Sequence, residues 1–313
     1  MSTALNDVVC ELYREFYNDK RQSTRLRNFK KNPFRNLLIW AWKLQKIYAG
    51  SYKLRNSINN FRATEKKFPG TKIAIYTAVT GGYDTIMEPI YVDDELDYYV
   101  FTDSEEVIRD TKKKGSAWKA IPIPEYVRKY TAPKQNRYIK MHPDEFLKLT
   151  GRKYDYSVYI DGCFRITCDI KPLVYSLMED GRTIAIHKNG SWDCPYIEAA
   201  LMSLRLVAQP EEIRRQMDFY RSEGFPEHFG SLENPVIIRK CHDEELQRVM
   251  HSWWEQVERF TYRDQLSLPY VLWKSGKDIS YIFPLGDNVW KSPYFITYEH
   301  GHIRKYKKGE HNH

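Results

Sequence analysis

The run Lys72-Ile-Ala-Ile-Tyr-Thr-Ala-Val-Thr-Gly-Gly-Tyr-Asp84 decides the fold class. Its first eight residues are mostly apolar or aromatic, the pattern of a strand that is buried on both faces. Gly81 and Gly82 end this strand, and Pro69-Gly70 marks a boundary before it. A buried strand of this kind predicts the first strand of an α/β sheet.

Beyond this run, short apolar stretches alternate with helical ones. Further strands are predicted at residues 98–102, 118–122, 156–160 and 183–186. Helices are predicted at residues 133–141, 170–178, 196–206, 210–223 and 242–260. This alternation is typical of a largely parallel sheet with helices on its faces. We expect one α/β domain over residues 71–282, with a basic helical segment at 1–70 and an aromatic, basic arm at 283–313.

The composition of the 313 residues is that of a globular protein, with 42% hydrophobic, 29% charged and 15% aromatic residues. It excludes a disordered chain, a collagen and a polytopic membrane protein. The five cysteines show no Cys-x-x-Cys spacing, so neither a disulfide framework nor a zinc ribbon is indicated. This cysteine pattern and the lack of an apolar segment in the first twenty residues favour a cytoplasmic location.

The positive charge is concentrated at the N-terminus, where residues 1–70 contain 15 Lys and Arg against 5 Asp and Glu. Within this segment, residues 34–48 place apolar side chains at helical spacing, with Ile39 and Trp42 outside the stripe. The stripe consists of Leu37, Trp40, Ala41, Leu44, Ile47 and Tyr48. A basic amphipathic helix can lie on an anionic membrane, here the inner face of the cell membrane, or pack on the main domain.

No phosphate-loop, dinucleotide, α/β-hydrolase or zincin motif is present, and the candidate functional residues are polar clusters at the ends of predicted elements. Open α/β sheets bind ligands at the carboxyl ends of their strands. The first clusters are Thr80-Gly81-Gly82-Tyr83-Asp84 and Thr102-Asp103, for which a turn or a helix cap is the simpler explanation. Asp161-Gly162 ends another buried strand, where a carboxylate can reach a divalent ion that bridges phosphates.

Two further clusters carry groups that could take part in acid–base chemistry. His187 and Lys188 follow a strand, and Asp193 and Glu198 come shortly afterwards. The second cluster is Arg263-Asp264-Gln265. Asp264 is the predicted general base or acceptor-orienting carboxylate, since a carboxylate near a reacting hydroxyl can take its proton. An ion pair between Arg263 and a carboxylate is the alternative reading, with Asp193 and Glu198 as the next candidate bases.

Many short motifs occur together in one order. They are residues 73–84, 97–103, 157–162, 193–199, 223–226, 234–239, 253–255 and 263–270. Through these motifs, the chain resembles the glycosyltransferase-like domain family of the plant turgor-regulation-defect and mucilage-related proteins. The resemblance covers roughly residues 72–281 and implies a GT-A-like fold that transfers a sugar from a nucleotide-sugar donor.

The resemblance also implies roles for individual residues. The loop at 80–84, with Thr102 and Asp103, would cradle the nucleoside. Because donor phosphates are negatively charged, Lys134, Arg137 and Lys188 are the candidates for direct contact with them. Asp161 would take the metal position, for Mn or Mg, although Asp161-Gly162-Cys163 lacks the second carboxylate of Asp-x-Asp. The candidates that would complete the metal shell are His187, His300 and His302.

Three functions are compatible with these features. The first is a glycosyltransferase at the membrane face that acts on a glycan or lipid-linked acceptor. The second is a hydrolase of a glycolipid or lipid amide on the same scaffold, because a fold does not fix a reaction. The third is a nucleic-acid-binding protein, suggested by the basic, aromatic N-terminus, but no nucleic-acid-binding module accompanies it, so no such partner is expected.

Overall fold

The computed structural model of the chain describes residues 33–50, 59–205 and 207–297. The strands within these ranges are β1 (Ile73–Val79), β2 (Asp97–Thr102), β3 (Trp118–Pro122), β4 (Tyr156–Ile160), β5 (Phe164–Ile166), β6 (Ile184–Lys188), β7 (Leu232–Lys240), β8 (Phe283–Pro284) and β9 (Phe295–Thr297). Seven of them form a central sheet in the order β3-β2-β1-β4-β7-β6-β8, and β5 pairs with β9 in a small second sheet.

The helices of the described ranges are α1 (Pro33–Tyr48), α2 (Glu105–Asp110), α3 (Glu125–Arg128), α4 (Ala132–Met141), α5 (Pro143–Lys148), α6 (Lys171–Asp180), α7 (Pro195–Arg205), α8 (Pro210–Ser222), α9 (Glu244–Arg259) and α10 (Asp264–Lys274). Short 3-10 turns lie at Ile279–Tyr281 and Val289–Lys291. Of the helices in these ranges, none has both the length and the apolar character needed to cross a bilayer.

The central sheet is largely parallel, which confirms the predicted α/β class. β1 pairs in parallel with β2 and β4, β2 with β3, and β6 with β8. β7 runs antiparallel to β4 and β6. The carboxyl ends of β1, β2 and β4 therefore meet at one edge, which is the edge where polar clusters were predicted.

Two apolar cores cover the two faces of the sheet. Alternate residues of β1 enter opposite cores, so Tyr76 belongs to one and Ile75 to the other, and both are fully buried. The first core includes residues of α4, α7, α9 and α10, and the second includes residues of α6 and β5. Burial on both faces is the physical reason for the continuous apolar run of β1.

The predicted strands and helices are all present, with ends that differ by at most two residues. The prediction missed β5, β7, β8 and β9, the short helices α2, α3 and α5, and α10, which begins at Asp264. Residues assigned to the C-terminal arm contribute β8, beside β6, and β9, beside β5. In the N-terminal segment, α1 packs on the main core through Ile39 and Trp42, the two residues outside the predicted stripe.

Candidate active site

A cavity of about 350 Å³ opens at the carboxyl ends of β1 and β4. This volume suits a small-molecule ligand. The first turns of α4 and α10 also line it. Of the predicted site residues, the structure brings the following to this cavity: Thr80, Gly81, Tyr83, Asp84, Arg137, Asp161, Arg263, Asp264 and Gln265.

The loop after β1 is held in place from two sides. The Thr80 hydroxyl donates a hydrogen bond to the Ala132 carbonyl at 2.8 Å, and the Gly81 amide donates to the Asp103 carboxylate at 3.0 Å. Gly81 and Gly82 have φ values of 62° and 58°, which glycine adopts without strain. Asp103 thus positions the loop, and Thr102, fully buried, accepts a hydrogen bond from the Ser104 amide.

Asp161 lies at the cavity where β4 ends, as predicted. The Tyr159 hydroxyl donates to its Oδ1 at 2.9 Å, and the side chain of Asp161 is 28% exposed. A Cβ on Gly162 would lie 3.2 Å from Val79 Cγ2 and 3.6 Å from the Asp84 carboxylate. The absence of a side chain at Gly162 therefore allows Val79, at the end of β1, and Asp84 to lie close to the backbone that follows Asp161.

Beneath the cavity, Asp264 forms ion pairs with two cations of α4. Its Oδ2 lies 2.6 Å from Lys140 Nζ and 3.4 Å from Arg137 Nε. Burial acts to raise the pKa of Asp264, but the charges of Lys140 and Arg137 outweigh it and lower that pKa to about 2. Such a carboxylate is a weak base at neutral pH. The predicted base role thus stays a prediction, whereas orientation by Asp264 agrees with these ion pairs.

Arg263 and Gln265 flank Asp264 at the start of α10. Arg263 Nη2 donates to Gln265 Oε1 at 2.9 Å, and Gln265 Nε2 donates to Glu233 Oε2 at 3.2 Å. Glu233, on β7, also lines the cavity. The direct ion pairs of Asp264 are with Lys140 and Arg137 of α4, and the charge of Arg263 also acts to lower the pKa of Asp264. The alternative role of Arg263 as the partner of Asp264 therefore stays a prediction.

Sequence reasoning missed the group that fixes α4. Arg239 is fully buried on β7, and its Nη1 donates to the Lys140 carbonyl at 2.6 Å. The Tyr76 hydroxyl donates to the same carbonyl at 3.0 Å. The spacing of Asn136, Arg137 and Lys140 places these residues on one side of α4, but it carries no signal for their burial or for the contact with Arg239.

Eight predicted site residues of the described ranges do not line the cavity. Three of them, Gly82, Thr102 and Asp103, belong to the loop after β1 or support it, and the other five lie elsewhere. Asp193 faces solvent, where it pairs with His228 at 2.7 Å, and Lys134 donates to the Glu258 carbonyl at 2.8 Å. The other three are Glu198, buried in α7, and His187 and Lys188 at the end of β6. His300 and His302 lie outside the described residues. Lys134 and Asp193 thus make their contacts with Glu258 and His228, which do not line the cavity.

The residues at Asp161 do not fit a dedicated metal centre. In the part of the chain that the structure describes, no three His, Cys, Asp or Glu side chains are grouped to hold an ion. Lys140 Nζ lies 3.7 Å from Asp161 Oδ1 and 2.6 Å from Asp264 Oδ2. An ammonium group therefore occupies the space between the two carboxylates.

Several solved structures resemble this fold. One is the apo structure of WbbM, a bifunctional glycosyltransferase, with a TM-score of 0.40 and 10% identity over 71% of this chain and 40% of that one. Mouse xyloside xylosyltransferase 1 has a TM-score of 0.37 and 11% identity over 68% of this chain and 83% of that one. Core-mannan synthase A from Aspergillus fumigatus, in a Mn/GDP form, has a TM-score of 0.40 and 11% identity over 70% of this chain and 74% of that one.

The sequence comparisons identify the family. The probable hexosyltransferase MUCI70 of Arabidopsis thaliana is 25% identical over 219 residues, or 64% of this chain. The match covers 37% of the length of that relative. The sequence profile of the TOD1/MUCI70 glycosyltransferase-like domain matches residues 56–292, which include every described residue of the cavity. The chain is therefore a member of the TOD1/MUCI70 glycosyltransferase-like domain family.

Proposed function

We propose that the cavity binds a nucleotide-sugar donor and that the chain transfers its sugar to a glycan or lipid-linked acceptor. The observation that carries the proposal is the meeting of a glycine loop, two arginines and several carboxylates at the carboxyl edge of β1 and β4. Ligands of open α/β sheets bind at this edge. Family membership supports the same reaction class.

The parts of the donor correspond to different parts of the cavity. Arg137 and Arg263 can donate paired hydrogen bonds to a diphosphate, and the first turns of α4 and α10 add favourable dipoles. Tyr83, 57% exposed, offers an aromatic face to the base. Asp84, on the same loop, can accept from a ribose hydroxyl. When the glycosidic bond to the donor breaks, the arginines stabilise the charge on the leaving diphosphate.

We expect Arg263→Ala to weaken the binding of a nucleoside diphosphate about 10- to 100-fold, because a hydrogen bond to a charged group contributes about 1.5–3 kcal/mol. Calorimetry with UDP and GDP measures the change. The control is Arg221→Ala, since Arg221 pairs with Asp218 at 3.2 Å on the exposed face of α8. Equal affinities of the Arg263 variant and the wild type would contradict the assignment.

The nucleotide titrations, together with a product assay on a glycolipid or lipid amide, separate transfer from the alternative hydrolase. A transferase consumes a nucleotide sugar and releases the nucleotide only as the sugar leaves. A hydrolase would cleave a glycolipid or lipid amide in the absence of any nucleotide. Cleavage without a donor, together with no nucleotide binding, would favour the hydrolase over our proposal.

We further propose that α1 binds an anionic membrane surface, at the inner face of the cell membrane. The side chains of α1 that point away from the core include large apolar ones, 44–97% exposed: Phe34, Leu37, Leu38, Trp40, Leu44 and Tyr48. The helix contains Arg35, Lys43 and Lys46 and no acidic residue. Apolar side chains next to positive charge suit an anionic lipid surface. Ile39 and Trp42 anchor the opposite side to the protein core.

We expect the double variant Trp40→Glu and Leu44→Glu to bind phosphatidylserine vesicles at least about tenfold more weakly, because it removes two apolar anchors and adds negative charge. Vesicle flotation of the full chain measures binding. The matched control is Val92→Glu with Leu149→Glu, which changes two apolar side chains of similar exposure, 46% and 50%, on the main domain. Equal loss in both double variants would contradict a specific role of α1.

A further inference from the structure

Lys140 is buried at the floor of the cavity, with 1% of its side chain exposed. Its Nζ lies 2.6 Å from Asp264 Oδ2, 3.7 Å from Asp161 Oδ1 and 5.0 Å from the centre of the Tyr159 ring. These contacts place one ammonium group between two carboxylates and against an aromatic face.

The main chain at Lys140 is fixed as firmly as its side chain. The Lys140 carbonyl, near the end of α4, accepts hydrogen bonds from Arg239 Nη1 and from the Tyr76 hydroxyl, and both donors are fully buried. A buried charge is costly unless it is paired and hydrogen-bonded. The protein therefore maintains this cation at a defined point below Asp161.

Two carboxylates that face one another at a phosphate site would ordinarily be bridged by a divalent cation. In this chain Gly162 and Cys163 follow Asp161, so the carboxylate that lies across Lys140 from Asp161 comes from Asp264, on a different element. Lys140 supplies positive charge at this position, and Arg137 lies 3.4 Å from the same oxygen of Asp264. Side chains of α4 thus neutralise the negative charge of Asp161 and Asp264.

We infer that Lys140 is a built-in cation that replaces the divalent ion, so that the chain binds a nucleoside diphosphate without a metal. Lys140 acts as a positioning residue, which neutralises Asp161 and, together with Arg137, Asp264, so that Arg137 and Arg263 can face the phosphates. This inference rests on the proposed function, and it specifies how the same cavity accepts an anionic donor.

The wild-type chain gives the first test. Calorimetric titration with UDP and GDP is carried out in EDTA and, separately, in excess Mn²⁺ and Mg²⁺. We expect affinities that agree within about threefold, a difference of less than about 1 kcal/mol. Binding that is tenfold or more stronger with metal would overturn the inference while the proposed function stands. Absence of nucleotide binding in every condition would overturn both.

The second test asks whether removal of the ammonium group creates a metal site. In Lys140→Met, Asp161 and Asp264 lose the cation between them, so Mn²⁺ alone should raise the melting temperature of this variant but not that of the wild type. UDP binding should fall about tenfold in EDTA and recover with Mn²⁺. Lys140→Arg, which keeps the charge, should bind UDP without metal.

A purely structural role for Lys140 would give a different result. It predicts a less stable Lys140→Met that neither binds Mn²⁺ nor regains nucleotide affinity with it, and this result would overturn the inference. If Lys140→Met does not fold, the wild-type titrations in EDTA and in metal decide by themselves.

Discussion

Asp264→Ala is expected to lower the free energy of unfolding by about 3–5 kcal/mol, since it leaves a buried ion pair without its carboxylate. Asp264 is 3% exposed and lies 2.6 Å from Lys140 Nζ, itself almost fully buried. Denaturant unfolding at neutral pH measures the change. The matched control is Asp218→Ala, which removes a carboxylate from an exposed pair with Arg221 and should cost less than about 1 kcal/mol. Similar losses in the two variants would contradict the buried ion pair.

The pH dependence of stability provides an independent measure of the same pair. The pKa of Asp264 falls from 3.8 to about 2 in the folded protein, where burial opposes the decrease and the neighbouring cations cause it. A lowered pKa stabilises the folded state above pH 4, by about 2 kcal/mol, and this contribution is lost as the pH falls from 4 towards 2. Asp264→Asn should therefore flatten the stability curve in this window. An unchanged curve would show that Asp264 is not held in its ionised form.

The Asp264 variants also test the predicted catalytic role. With a pKa of about 2, Asp264 holds a proton too weakly to remove one from an acceptor hydroxyl efficiently at neutral pH. A folded Asp264→Asn that binds donor normally but has lost transfer would nevertheless support the base. Near-normal turnover of Asp264→Asn would exclude Asp264 as the base and leave it only the structural role of pairing with Lys140.

The elements that were predicted correctly are those whose burial leaves a continuous pattern in the local sequence. β1 and β4 are buried on both faces, so each is a continuous apolar run, and their predicted ends agree with the structure to within one residue. β7 was missed because Asn234-Pro235 resembles a turn. In the structure these residues lie where the pairing of β6 with β7 shifts register, and proline is tolerated at such an irregularity.

The site was predictable where side chains follow directly from strand ends. Thr80, Asp84 and Asp161 lie at the cavity because parallel strands deliver their carboxyl ends to one edge. Lys140 could not be found in this way, since a lysine in a helix is ordinarily solvated and its burial depends on β1, β7 and α10. For α1, the periodic stripe was correctly identified, but which face contacts the core depends on Ile39 and Trp42.

Gly81→Ala should disturb the loop at residues 80–84 more than a glycine substitution ordinarily disturbs a loop. The added Cβ would lie 2.4 Å from Ala132 Cβ, at the first residue of α4, so the loop or the helix has to move. Gly81 also has a φ of 62°, where a side chain costs about 1–2 kcal/mol. The movement strains the 2.8 Å bond from Thr80 to the Ala132 carbonyl and the 3.0 Å bond to Asp103.

We expect Gly81→Ala to lose about 2–3 kcal/mol of stability and at least about tenfold in UDP or GDP affinity. Gly151→Ala is the control for backbone strain without a steric clash. Gly151 has a φ of 72°, similar to that of Gly81, but no neighbouring atom lies within 4 Å of its added Cβ. That control should lose about 1–2 kcal/mol and bind nucleotide as the wild type does. Unfolding curves and calorimetry measure both properties. If Gly81→Ala keeps wild-type nucleotide affinity, the loop at residues 80–84 does not contact the donor, and the nucleoside must be held by another part of the cavity.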